Sequence, residues 1–145
     1  ADMVVVPDED LLPLQSEAHD LVIHTMSLHW ANDPVGQLVQ CRRALKPDGL
    51  CIAVFPAGKT LGELRASLAE AEARVRGGLS PRVLPMGEIR DLGGLMQRAG
   101  FALPVADVVM QAVEYRALSG LFRDLRAMGE TNALGARIRH FTSRR

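Results

Sequence analysis

The sequence predicts an open α/β sheet, mostly parallel, with an antiparallel hairpin at one edge. Three observations carry that expectation. A strand–helix–turn–strand unit runs from Leu21 to Phe55. Two further helices, starting near Thr60 and Gly87, have recognisable ends. Two apolar runs, Phe101 to Met110 and Ala112 to Tyr115, then lie close enough in sequence to be expected as an antiparallel pair.

Each element has a local reason. Met3-Val4-Val5-Val6 is strand-like from its β-branched content. Leu21-Val22-Ile23 and Leu50 to Phe55 are short continuous apolar runs, the pattern of strands buried on both faces. Between them Asp33 can cap a helix and Pro34 suits its first position, with Val35, Leu38, Cys41 and Leu45 recurring on one face. Lys46-Pro47-Asp48-Gly49 then turns the chain. Downstream, Thr60 and Glu63 have the spacing of a capping box. Leu61, Leu64, Leu68, Ala71 and Val75 keep helical spacing up to Gly77-Gly78. Ile89, Leu92, Leu95, Met96 and Ala99 mark the inner face of a helix that Gly100 ends, although Gly93-Gly94 weakens its middle. Leu118, Leu121, Phe122, Leu125 and Met128 define a last amphipathic helix, stopped by Gly129.

Composition narrows the function classes. Hydrophobic residues at 48% and charged residues at 23% place the chain among ordinary globular proteins. Lys plus Arg and Asp plus Glu are both 17, so there is no basic surplus to point to nucleic acid as a partner. The basic cluster Arg137, Arg139, Arg144 and Arg145 reads as a solvated tail. Cys41 and Cys51 sit in apolar surroundings and suit reduced thiols, so a cytoplasmic location is expected. No apolar run reaches the length of a membrane span. His24, His29, Cys41 and Cys51 lack zinc-ligand spacing, and Gly-x-Ser-x-Gly is absent, so neither a metal site nor nucleophilic hydrolysis is expected. The chain opens on alanine and a strand-like run follows almost at once, which suggests that its start is not the natural one, whether by cloning or by proteolysis.

Three stretches carry a resemblance. The first runs from Val5-Val6-Pro7-Asp8-Glu9-Asp10 to His19-Asp20-Leu21-Val22-Ile23, the second is Ser27-Leu28-His29-Trp30-Ala31-Asn32-Asp33, and the third is Leu45-Lys46-Pro47-Asp48-Gly49-Leu50. In this order they are similar to the third to fifth strands of class I S-adenosylmethionine-dependent methyltransferases. Thr60-Leu61-Gly62-Glu63-Leu64-Arg65, Gly77-Gly78-Leu79-Ser80-Pro81, Asp91-Leu92-Gly93-Gly94-Leu95, Arg98-Ala99-Gly100-Phe101 and Met128-Gly129-Glu130-Thr131-Asn132 resemble the mitochondrial complex I assembly factor 5 family and its bacterial relatives. The biotin-pathway malonyl-carrier-protein O-methyltransferases share fewer of these segments.

The resemblance implies that residues 1–145 are the C-terminal part of one Rossmann-like methyltransferase domain, lacking its first strands. It implies S-adenosylmethionine as the cofactor of the intact protein. Asp8, Glu9 and Asp10 fall where the family's loop meets adenine, and His24 and Thr25 fall at the methionine end. His29, Trp30 and Asn32 resemble the rim of the active site, with His29 the candidate base, although an aromatic such as Trp30 at a strand–helix junction is more often core. The Gly-rich turn of the family has no counterpart, since no Gly-x-Gly occurs. The segment alone is therefore expected to be inactive. Methyl transfer to a small-molecule or carrier-protein carboxyl, arginine hydroxylation, and a non-catalytic assembly role for respiratory complex I all remain open. The edge of the strand at Leu21 to His24 is expected to pair with the Met3 to Val6 strand or with a second copy, as a homodimer.

Overall fold

A computed structural model of the chain describes residues 3–6 and 10–139, apart from the side chain of Ile89. Its elements run β1 (His19–Thr25), a 3-10 turn (Leu28–Trp30), α1 (Pro34–Ala44), β2 (Leu45–Val54), α2 (Gly62–Arg76), α3 (Ile89–Arg98) and α4 (Leu118–Ala127). This is an α/β arrangement with a small parallel sheet. The chain divides into two compact units, Ala1–Thr60 with Met86–Val108, and Leu61–Pro85 with Val109–Arg145.

The first unit is built on β1 and β2, which pair in parallel, with Leu21 opposite Leu50, Ile23 opposite Ile52 and Thr25 opposite Val54. His19 pairs with Leu45 but Leu21 with Leu50, so the Lys46-Pro47-Asp48-Gly49 turn is accommodated as an irregularity within β2. Asp48 takes a positive φ of 62° there. α1 starts where the sequence places it: the Asp33 carboxylate accepts from the Gly36 N–H at 2.8 Å, and Pro34 occupies the first turn. One face of α1 buries Gln37, Leu38, Cys41 and Ala44. Leu38 meets Leu28 and Ala99 in the core, with Ala53, Phe55, Leu95, Met96 and Phe101 packed around them.

α3 closes this core, and its end shows why Gly100 is there. Gly100 sits at φ 85°, its N–H donating to the Gln97 carbonyl and the Phe101 N–H to the Met96 carbonyl, the paired bonds of a Schellman cap. Arg42 from α1 also donates from Nε to the Ala99 carbonyl at 2.8 Å. A Cβ at position 100 would stand 3.2 Å from that Nε. Position 100 thus needs glycine both for its φ and for the approach of Arg42.

In the second unit α2 ends at Gly77, in the left-handed conformation at φ 68°. α4 ends on another Schellman cap, with Gly129 at φ 80° and the Glu130 N–H donating to the Leu125 carbonyl at 2.8 Å. The one buried side chain of α2 among the described residues is Glu72. Its carboxylate accepts from the Ser80 N–H and hydroxyl and from Arg82 Nε, tying the helix to the loop that follows it. The Ser80 hydroxyl first, then Arg82, outweigh burial and hold the Glu72 carboxyl at about 2. The folded value lies below the ordinary one, so the tie is complete above that ordinary range and is lost as pH falls towards the folded value. Glu72→Gln is expected to lower the melting midpoint of the second unit at neutral pH by on the order of 5 °C. The gap between wild type and variant should shrink as the pH is taken from 4.5 towards 2; calorimetric melts across that range check both effects.

Several expectations are corrected. The described residues at 3–6 form no strand, and Met3, Val4 and Val5 are exposed. An isolated run has no neighbour to take its backbone hydrogen bonds. No antiparallel hairpin forms from Phe101 to Tyr115, where Leu103, Val105, Val109, Met110 and Val113 are exposed. Gln111 alone separates the two runs, fewer residues than the shortest common hairpin loop needs, and Pro104 lacks an N–H for a ladder. The strands are covered on one face only: Leu21, Ile23, Leu50, Ile52 and Val54 stand exposed on the other. Among the described residues the outer edge of β1 has no partner strand. The cap of α2 falls one residue later than the Thr60–Glu63 spacing suggests. Leu61 caps α2 in the left-handed conformation, and the Thr60 hydroxyl donates to the Ala57 carbonyl at 2.7 Å. Ala71 and Val75 lie on the open side of α2.

Candidate functional site at the carboxyl ends of the strands

Because β1 and β2 are parallel, their carboxyl ends lie at the same edge of the sheet, where α/β folds place ligands. The chain leaves β1 through a sharp bend. Met26 adopts φ 56°, a costly conformation for a methionine, and its N–H donates to the Val54 carbonyl at 2.6 Å. Ser27 and the Leu28–Trp30 turn follow, anchored by Leu28 in the core. The chain leaving β2 runs through Phe55 to Thr60, and the Gly58 N–H donates to the Gly87 carbonyl at 2.9 Å.

Two glutamines of α1, unremarked in the sequence, organise this edge. Gln37 is buried, and its Oε1 accepts from His24 Nε2 at 3.0 Å. That leaves His24 Nδ1 as the ring acceptor, facing the Ser27 hydroxyl at 3.5 Å. Gln40, three residues on, grips the segment before β1. Its Oε1 accepts from the Leu12 N–H, and its Nε2 donates to the Asp10 carbonyl, both at 2.8 Å. Asp10, Leu12 and the end of β1 are thus all fastened to α1. The signal in the sequence was a pair of long amides beside the apolar residues Val35, Leu38, Val39 and Cys41 of α1. Gln37→Ala should strand the His24 donor in the interior and cost about 1–3 kcal/mol, read by urea denaturation. Gln37→Leu, which also leaves Nε2 unpaired, should cost a similar amount with less cavity.

The predicted residues fall as follows. Asp8 and Glu9 lie outside the described residues. Asp10 is exposed and held by its backbone. His24 is buried, with its ring nitrogens directed to Gln37 and Ser27, so it supports the bend from within. Thr25, the last residue of β1, is exposed. His29 and Trp30 are half-buried neighbours, ring centroids 5.4 Å apart and tilted by 45°. Asn32 is exposed beyond them. His24, Thr25, His29, Trp30 and Asn32 thus share one bend and turn, and Asp10 joins them through α1. Among the described residues no group of three or more His, Cys, Asp or Glu gathers to hold a metal ion. No described helix is long and apolar enough to cross a membrane.

Residues 1–53 match the family described as a methyltransferase domain. Over 128 residues the chain is 41% identical to a Danio rerio protein named arginine-hydroxylase NDUFAF5, mitochondrial, across 88% of this chain and 40% of that protein. The Homo sapiens protein of that name is 43% identical over 128 residues, across 88% of this chain and 37% of its own length. Malonyl-(acyl-carrier protein) O-methyltransferase of Laribacter hongkongensis is 33% identical over 144 residues, across 99% of this chain and 46% of that protein. The chain spans less than half the length of these relatives. No solved structure matches it.

Proposed function

We propose that this chain, a relative of the S-adenosylmethionine-dependent methyltransferase branch, is the acceptor-side part of a methyl-transfer domain. The observation that supports this most directly is the double grip of α1, in which Gln37 holds His24 and Gln40 holds Asp10 at the strand ends. When bound, S-adenosylmethionine supplies an electrophilic methyl group. The residues of this chain do the rest. Asp10 and Thr25 present polar atoms to the donor. Trp30 and Asn32 border the acceptor, and His29 stands beside it as the base for an acceptor that carries a proton, an ionised carboxylate needing none.

The donor needs more than these residues. In the structure the glycine pair Gly77-Gly78 ends a helix and Gly93-Gly94 lies within one, so neither follows a strand where a backbone cradle would form. The segment by itself is therefore proposed not to hold the donor. Calorimetric titration of the 145-residue chain with S-adenosylmethionine and S-adenosylhomocysteine should give no saturable heat; tight binding of either would overturn this part of the proposal.

A second reading has its own support. The proteins named as arginine hydroxylases share 41% and 43% identity with the chain, above the 33% of the carrier-protein methyltransferase. Hydroxylation would place an arginine side chain, in place of a methyl acceptor, against His29, Trp30 and Asn32. A chain that also carries a donor-binding half decides between them. Methyl transfer to a malonyl carrier-protein thioester or to another carboxyl favours the first reading. Gain of one oxygen atom by an arginine peptide favours the second.

A further inference from the structure

We infer that Cys41 and Cys51 are an internal redox pair, which a hydroperoxide converts to a disulfide tying α1 to β2. The inference stands apart from the transfer reaction proposed above. α1 packs against β2. Cys41 lies on the buried face of α1, one turn beyond Gln37, and is 1% exposed. Cys51 is opposite Val22 in the sheet register. It stands two residues from Ala53, which packs into the core, while its neighbours Leu50 and Ile52 point to the open face. Strand alternation therefore turns Cys51 towards α1. Both thiols therefore enter the same α1–β2 interface, where each shifts the ionisation of the other. Ten positions separate them in sequence, and the helix end and the irregular start of β2 between them bring them back together.

The pair is chemically unequal. Cys51 is the more exposed of the two, and the facing Cys41 thiol lowers it against the opposing effect of burial. The facing Cys51 thiol, with burial added, raises Cys41. Cys51 is thus the attacking sulfur and Cys41 the resolving one. In the first step the Cys51 thiolate attacks the peroxide. An S–O bond forms, the O–O bond breaks, and the leaving hydroxide takes up the displaced proton as water. Cys51 is now a sulfenic acid. In the second step Cys41 sulfur attacks Cys51 sulfur. The S–S bond forms, the S–O bond breaks, and hydroxide leaves with the Cys41 proton as a second water. The two sulfurs give up two electrons and the peroxide accepts them. A thiol reductant reverses the change.

The test uses the folded chain treated with hydrogen peroxide. Intact mass without reductant should fall by two hydrogen atoms, and peptide mapping should join the peptides of Cys41 and Cys51. Hydrogen exchange of the α1 amides should slow in the oxidised protein and recover on reduction. In Cys41→Ser, dimedone should trap a sulfenic acid on Cys51, whereas Cys51→Ser should leave Cys41 unlabelled. If either variant fails to fold, the mass and exchange measurements on the wild type decide alone. Two free thiols after treatment, a disulfide formed only between chains, an unchanged exchange rate in α1, or labelling of Cys41 ahead of Cys51 would each overturn the inference.

Discussion

Leu38→Ala is expected to destabilise the first unit by about 2–5 kcal/mol, the range for emptying a closely packed leucine site. Leu38 is 1% exposed and meets Leu28, on the turn after β1, and Ala99, at the end of α3. The residues around it come from both sides of the turn and from both strand-end loops, so no single side chain can move in to fill the space. A loss of this size is a large part of the roughly 5–15 kcal/mol that holds a domain folded. Trp30 is the only tryptophan and sits on the same turn as Leu28, so its fluorescence reports this core. Urea denaturation should show a lower midpoint at similar slope. Leu103→Ala, at a side chain 91% exposed, should stay within about 0.5 kcal/mol of wild type. Equal losses at the two positions would mean that the core is not where Leu38 places it.

With an acceptor that loses a proton as it is methylated, His29→Ala should lower kcat by about 10²–10⁴-fold with little change in KM, measured in a chain that also carries a donor-binding half. The argument is one of position. Leu28 anchors the turn in the core, and the Trp30 ring lies against the imidazole, so His29 is held in place beside the strand ends. A base acts on the proton lost during transfer, and its removal affects the transition state more than binding. His29→Gln keeps a polar side chain of similar reach but no base and should be equally slow. A kcat within a fewfold of wild type would remove His29 from the chemistry and leave it a packing partner of Trp30.

Much of the fold was legible because its signals are local. Asp33-Pro34 starts α1, and Gly100 and Gly129 end α3 and α4, since each of those roles needs one residue with one conformational property. The parallel pair followed from two apolar runs joined by a helix. The failures were non-local. The run from Phe101 to Tyr115 has strand-like composition, but a strand exists only when another backbone accepts its hydrogen bonds, and none does here. Thr60 and Glu63 had capping spacing, yet Leu61 took the cap in a left-handed conformation. In the candidate site, His24, Thr25, His29, Trp30 and Asn32 were found as one stretch of sequence. Gln37 and Gln40 were not, because their importance lies in what they reach 13 and 28–30 residues away.

The sequence by itself determined where α1 begins, where α2, α3 and α4 end, which strands are parallel, and the resemblance to the methyltransferase branch. Those depend on residue type at fixed short spacing. Only the tertiary structure decided which face of the sheet is covered, that His24 is a buried support for the bend, and that Cys41 and Cys51 face one interface. Such outcomes depend on which surfaces meet. A side chain's chemistry is settled by its neighbours' hydrogen bonds and by exclusion of water, and neither is written in the spacing along the chain.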